Sequence, residues 1–162
     1  MAKVTRATQA LDRAGVPFTV VSYDYDPGAE RIGLQAAEAL GVDPHTVIKT
    51  LMARVDGKPV CVMLSSAAEV SMKQLAAAVG GKSAEMMPPG DAERMTGYRI
   101  GGISPFGQQR TVPTVLDHHA FDHRQIYVNA GQRGLQLLLS PADAVRAIDA
   151  IIAHVEKRSD QP

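Results

Sequence analysis

Residues 47–64 constrain what this chain can fold into more than any other stretch. Val47 to Val55 is a β-rich run, Asp56-Gly57 supplies a pair that tolerates positive φ, and Val60 to Leu64 returns as a second apolar run. The pattern predicts a β-hairpin. Period two places Val47, Lys49, Leu51, Ala53 and Val55 on one face and Ile48, Thr50, Met52 and Arg54 on the other. Lys49 therefore shares the more apolar face, where an unpaired ammonium is costly to bury. On spacing alone, Lys49 meets a negative ligand at a cavity mouth, guards an edge strand, or snorkels to water.

Helical and strand patterns flank the hairpin. Val4, Ala7, Leu11 and Ala14 recur at helical spacing until Gly15 and Pro17, and Phe18 to Tyr23 reads as a strand. A turn at Asp24–Pro27 leads to a helix marked by Ile32, Ala36, Ala39 and Leu40 and closed by Gly41. Ser71-Met72-Lys73-Gln74 has the form of a capping box for a helix with Leu75, Ala76 and Val79 on its apolar face. Pro88 to Asp91 starts a short helix through Met95, and Met86 and Met87 read as core packing. Thr111 to Leu116 reads as a strand in which Pro113 argues for an edge or a bulge. Strands at Ile126–Asn129 and Leu135–Leu139 follow. Ser140-Pro141 then opens a last helix with Val145, Ile148, Ile152 and Val155 on one face, and Glu156 to Pro162 should fray. Strands in the middle, helices between and at both ends, and an antiparallel hairpin favour an α+β fold. With 162 residues, 45% of them hydrophobic, residues 1–162 are expected to form one domain.

The stretch from Thr96 to Gly107 is rich in glycine without being a repeat. Gly101, Gly102, Ile103 and Ser104 offer four successive backbone donors, and Pro105 stiffens the exit. Such a loop holds a carbonyl oxygen or a phosphate, or simply connects two strands; without a following Gly-Lys-Ser/Thr it is not a nucleotide fingerprint. A second turn, Gly131-Gln132-Arg133-Gly134, offers another ligand-facing position. Arg94, Arg99, Arg110, Arg124 and Arg133 stand against only Asp117 and Asp122 in that region, which makes an anion-facing side plausible.

Other chemistries are disfavoured. Seventeen basic and seventeen acidic residues leave no global field to coat DNA. The single cysteine, Cys61, excludes an internal disulfide framework, suits a reducing cytoplasm, and lies in an apolar strand where a thiol is inert. His118, His119 and His123 read as solvated loop histidines, so no metal site and no cofactor are expected. The segment Met1–Ala14 lacks the apolar run of an export signal, and no stretch reaches membrane-spanning length. No Gly-x-Ser-x-Gly elbow is present. What remains suits binding and polarising a carbonyl.

Several fragments, in order and spacing, carry a resemblance over nearly the whole chain. They are Val47-Ile48-Lys49-Thr50-Leu51, Thr96-Gly97-Tyr98, Gly101 through Gln108, Pro113-Thr114, and Ile126-Tyr127-Val128 followed by Gly131 and Arg133-Gly134-Leu135. With them the sequence resembles the YbaK family of free-standing aminoacyl-tRNA deacylases, related to the editing domain inserted in bacterial prolyl-tRNA synthetases. The resemblance implies a mixed, mainly antiparallel, barrel-like sheet surrounded by helices. It also implies trans-editing hydrolysis of a mischarged aminoacyl-tRNA, foremost Cys-tRNA(Pro), in which the substrate thiol attacks its own ester. A deacylase for another amino acid such as alanine, or a non-catalytic module for a nucleotide or tRNA end, is the alternative.

Carried onto this chain, the family's lysine falls on Lys49, the implied catalytic residue, in contact with the ester or the terminal nucleotide. Tyr23 and Thr50 belong to the same pocket, and Gly101, Gly102, Ile103 and Ser104 supply loop contacts to the ester. Asn129 and Arg133 complete the implied binding set, Asn129 standing where a serine is common in the family. Gln136 stands where an aspartate is common, which removes a charge partner near Arg133. The implied partners are the 3′ end of tRNA(Pro) and prolyl-tRNA synthetase, with no membrane.

Overall fold

An Asp56-Gly57 reversal, with φ of +50° and +82°, folds β2 (Val47–Val55) back on β3 (Lys58–Ser65), with Val55 opposite Lys58 as a two-residue turn requires. The computed structural model describes residues 4–28 and 31–157. Around the hairpin a mixed sheet assembles from β1 (Thr19–Ser22), β5 (Ala84–Met86), β6 (Thr114–Asp117), β7 (Ile126–Asn129), β8 (Leu135–Leu139) and β9 (Ile151–Ala153). Its order is β1-β8-β7-β2-β3-β6-β9, with β5 also pairing β2. The pairs β1/β8, β7/β8, β2/β3 and β2/β5 are antiparallel, whereas β2/β7, β3/β6 and β6/β9 are parallel. This is the α+β architecture expected from the sequence.

Alternation along β3 explains the two main cores. Met63 faces a cluster with Leu11 and Ala7 of α1 (Arg6–Ala14), Ala144 of α5 (Pro141–Ile148), Leu137 and Phe106. Val62 and Leu64 face the opposite cluster, with Val55, Val115 and Leu75 of α3 (Met72–Ala78). The helices form for local reasons. Thr5 and Thr8 make a reciprocal capping box at the start of α1. Ser71 caps α3 through the Gln74 amide, and Ser140 caps α5 through the Asp143 amide. Two further helices, α2 (Ile32–Leu40) and α4 (Pro89–Thr96), lie where the sequence places them. Among the described residues no helix is long and apolar enough to cross a membrane.

One detail of the ladder positions everything functional. β2 pairs β7 only at Val47 and Ile48, and pairs β5 only from Ala53 to Val55. Residues 49–51 therefore have a strand neighbour on one side, β3, and an opening on the other. The Val47 carbonyl turns toward β3 to accept from the Ser66 amide, and the Met52 carbonyl turns the other way to accept from the Met87 amide. Strict alternation then aims the backbone of Thr50 into the opening.

Three expectations need correction. Pro113 marks neither an edge strand nor a bulge: it precedes the first residue of β6, which lies between β3 and β9, and its carbonyl accepts from the Cys61 amide. The last helix ends at Ile148, where Asp149 adopts φ +52°, and Ile152 and Val155 lie beyond it. Ile152 belongs to β9, and Glu156 and Lys157 form β10 (Glu156–Lys157) against β4 (Glu69–Val70) instead of fraying; the rest of the expected frayed segment lies outside the described residues. The physical cause is Asp117. Its buried carboxylate accepts from the amides of Val155 and Glu156 through one oxygen, and from the amide of His119 through the other. His119 Nδ1 lies 2.8 Å from that second oxygen and 3.2 Å from Glu156. Asp117→Ala leaves buried amides without acceptors, each costing about 1–3 kcal/mol. Urea denaturation is expected to show a loss of at least about 2 kcal/mol, with the transition remaining cooperative.

Candidate active site

The opening beside β2 is the mouth of a cavity of about 330 Å³. Its floor is Lys49, Thr50, Leu51 and Met52; Asn129 and Gln136 close the β7–β8 side, and Ile100, Gly101 and Ile103 form the roof. The far wall is Met86 and Met87 with the start of α4. Asn129 and Gln136 sit directly opposite each other in the β7/β8 register, and so point to the same face.

Lys49 is half-buried. Its ammonium donates to the Ala68 carbonyl at 2.5 Å, and burial, then the nearby Arg31 charge, lower its pKa from the usual lysine value, with Glu69 and Glu156 acting in the opposite sense. The carbonyl is presented by a tight turn after β3, in which Ser65 Oγ accepts from the Ala67 amide and Ser66 Oγ donates to the Val47 carbonyl. The first turn of α2 presses on that turn: a Cβ on Gly33 would fall 2.2 Å from Ser66 Oγ, so only glycine fits. The side chain that the hairpin pattern singled out is thus held at the seam between sheet, turn and helix.

The glycine loop is ordered by Asn129 and Arg133. Asn129 Nδ2 donates to the Gly101 carbonyl at 3.0 Å while Asn129 Oδ1 accepts from the Gly131 amide at 2.7 Å. Arg133 donates through Nε and Nη2 to the Ile100 carbonyl, and its guanidinium lies over the Tyr25 ring. Phe106 anchors the loop in the core, and its carbonyl accepts from the Tyr98 hydroxyl. Gly101 holds φ +88°, a conformation that a side chain would strain. The Gly102 amide donates to the Arg99 carbonyl, so it is not one of the free donors counted from the sequence.

The structure therefore divides the anticipated residues. Lys49, Thr50, Gly101, Ile103 and Asn129 line one cavity. Gly102 packs against the backbone of Gln132 and Arg133, and Arg133 serves the loop. Ser104 is fully buried, its Oγ accepting from the Phe106 amide and its carbonyl from Gln108. Tyr23 does not line the cavity; its hydroxyl is buried without a partner among the described residues, and burial raises its pKa against the opposing pull of the Gly134 backbone and the Gln136 amide. Thr50 Oγ1 and Gln136 Oε1 are likewise buried without a partner among the described residues, and both residues line the cavity. Gln136 was visible in the sequence only as a departure from a pattern. Of the two methionines after the third helix that are expected to pack in the core, Met87 is buried, whereas Met86 is 42% exposed. Cys61 is fully buried and its thiol is pushed up to about 12 by burial, which removes it as a nucleophile.

The site is a mixed sheet with a polar seam beside an apolar pocket, roofed by a glycine loop, in a small α+β domain. Comparison with known proteins narrows this. Residues 27–147 match the family model described as "Aminoacyl-tRNA editing domain", and the chain belongs to that family. It is 34% identical over 140 residues to EbsC of Enterococcus faecalis, which is named for Cys-tRNA(Pro)/Cys-tRNA(Cys) deacylation; the match covers 85% of this chain and 84% of EbsC. It is 25% identical over 142 residues to the multifunctional Ser/Thr-tRNA deacylase ProXp-y of Escherichia coli K12, covering 87% and 85% of the two chains. Its fold matches, with a TM-score of 0.83 and 21% identity, a solved structure described as a trans-editing enzyme for prolyl tRNA synthetase, over 94% of this chain and 96% of that one.

Asn129→Ala tests the loop geometry. Losing two hydrogen bonds of about 1 kcal/mol each should speed local opening roughly thirtyfold. Hydrogen exchange at the Gly102 and Gly131 amides, which are bonded to the Arg99 carbonyl and to Asn129 Oδ1, is expected to rise accordingly, while exchange in β3 stays unchanged.

Proposed function

We propose that this protein removes cysteine from tRNA(Pro) in trans, with the substrate's own thiol as nucleophile. The observation that carries this reading is the make-up of the cavity wall. Among the described residues lining it there is no cysteine, histidine, aspartate or glutamate, and its hydroxyls come down to Thr50. Such a pocket has groups to hold an ester but none suited to attack it, so the nucleophile comes with the substrate.

The chemistry is then self-contained. The thiol sulfur of the cysteinyl group attacks the ester carbonyl carbon, a C–S bond forms, and the C–O bond to the terminal ribose breaks. The thiol proton ends on the released ribose oxygen, and water opens the resulting thiolactone to free cysteine. The protein orients sulfur against carbonyl, an advantage worth roughly 7–11 kcal/mol at its upper range. Lys49 and the free amides of the glycine loop stabilise charge on the carbonyl oxygen, where one lost donor costs about 10²–10³ in rate. The apolar wall of Met52, Met86 and Met87 suits a thiol side chain. The names of EbsC and of the matched trans-editing structure support the choice of amino acid and tRNA. With equal numbers of acidic and basic residues, the chain lacks a field of its own to select one tRNA, and prolyl-tRNA synthetase is the proposed selecting partner.

The test is a panel of tRNA(Pro) charged separately with cysteine, serine, alanine and proline. The cysteinyl ester should be cleared fastest and the prolyl ester spared; four stable esters would end the proposal. In the same assay Lys49→Ala should lose at least about tenfold in rate while retaining its melting temperature, on the scale of one charged contact.

A further inference from the structure

A second cavity, of about 590 Å³, adjoins the first. Ile32, Gly33 and Lys49 line both, so the two chambers share one wall. Their characters differ. The first is mostly apolar, whereas the described residues lining the second include the cations Arg31, Lys49 and Lys157 with the carboxylate of Glu69, and buried Glu156 is also felt at Lys49. Arg31 and Lys157 are exposed and form no ion pair among the described residues. The Arg31 charge is felt at Lys49, and Lys157 lines the same space. Ile32, Gly33 and Leu34, the first turn of α2, face the same space, and α2 has no side-chain cap and no acidic residue in that turn. The end of the helix therefore adds partial positive charge to what the side chains already supply.

We propose that this second chamber is a phosphate subsite in which Arg31 and Lys157, flanking Lys49, hold the 5′-phosphate of the substrate's terminal nucleotide. The proposal rests on the aminoacyl-ester reading of the first chamber. A ribose seated across the wall formed by Ile32, Gly33 and Lys49 sends its ester into the apolar chamber and its phosphate, at the other end of the sugar, into the cationic one. Arg31 offers a planar fork that matches phosphate oxygens, and Lys157 a point charge from β10. Glu69 opposes an anion and limits its affinity, which fits a site that must release its product. The fold places these residues deliberately: Arg31 precedes α2, whose close approach depends on Gly33, and Lys157 is held by the β10/β4 pairing that Asp117 directs.

The test uses two stable analogues, 3′-deoxy-3′-(cysteinylamino)adenosine and its 5′-monophosphate, with binding to the full chain measured by calorimetry. The wild type is expected to bind the monophosphate at least tenfold more tightly than the nucleoside. Arg31→Ala combined with Lys157→Ala should abolish that preference while leaving nucleoside affinity unchanged. Glu69→Gln should strengthen monophosphate binding. These substitutions are at exposed positions, and an unchanged melting temperature checks the fold. Equal wild-type affinities for the two compounds, or a preference that survives the double substitution, would overturn the subsite. If wild-type protein clears cysteinyl-tRNA yet shows no phosphate preference, the subsite alone falls. Absence of both deacylation and nucleoside binding removes the parent reading, and the subsite with it.

Discussion

An unpaired stretch of one strand governs this molecule. Residues 49–51 of β2 are bonded to β3 on one side, while β7 leaves before them and β5 arrives after them. A sheet interior normally leaves no such interval, because unpaired backbone groups are costly to bury. Here the interval becomes a pocket, and the surrounding elements keep it open. The glycine loop spans it from above, tied by Asn129 and Arg133 to the β7–β8 region, and α2 closes the end near Lys49. Each tie uses a carbonyl of the loop, Ile100 or Gly101, which fixes the loop's backbone without filling the space beneath it.

The same interval explains the position of Lys49. Its strand face is otherwise apolar, and in a continuous sheet its ammonium would be buried against Leu51 and Leu64. Beside the gap the side chain reaches the Ala68 carbonyl and borders both chambers, so one cation serves an apolar pocket and a cationic one. Burial and the Arg31 charge outweigh the opposing pull of Glu69 and Glu156, which keeps its proton affinity low for a lysine.

Much of this was legible in the sequence, and the limits have physical causes. The hairpin, its turn and the face carrying Lys49 follow from period two and from Asp56-Gly57, which are local signals. The loop's glycines announced an ordered turn, yet its donor count was too generous, because the Gly102 amide closes a turn with Arg99 that residue types alone do not specify. Ile152 and Val155 match a helical stripe, but Ile152 pairs with Leu116 of β6 and the buried Asp117, distant in sequence, holds the Val155 and Glu156 amides. The cavity itself depends on where β5 and β7 meet β2, and such registers are set by tertiary packing. Ser104, attractive as a hydroxyl in a functional loop, is consumed by the loop's own geometry. Gln136 became informative only once the β7/β8 register set it opposite Asn129.

The central claim is that the pocket supplies orientation and charge while the substrate supplies the nucleophile. The most direct measurement compares tRNA(Pro) charged with cysteine and with 2-aminobutyrate, which replaces the thiol by a methyl group of similar size. The account predicts that the cysteinyl ester is cleared while the aminobutyryl ester decays only at its uncatalysed rate. Equal enzymatic rates for the two would contradict it, because a pocket that cleaves an ester lacking a thiol must furnish a nucleophile or activate water by itself.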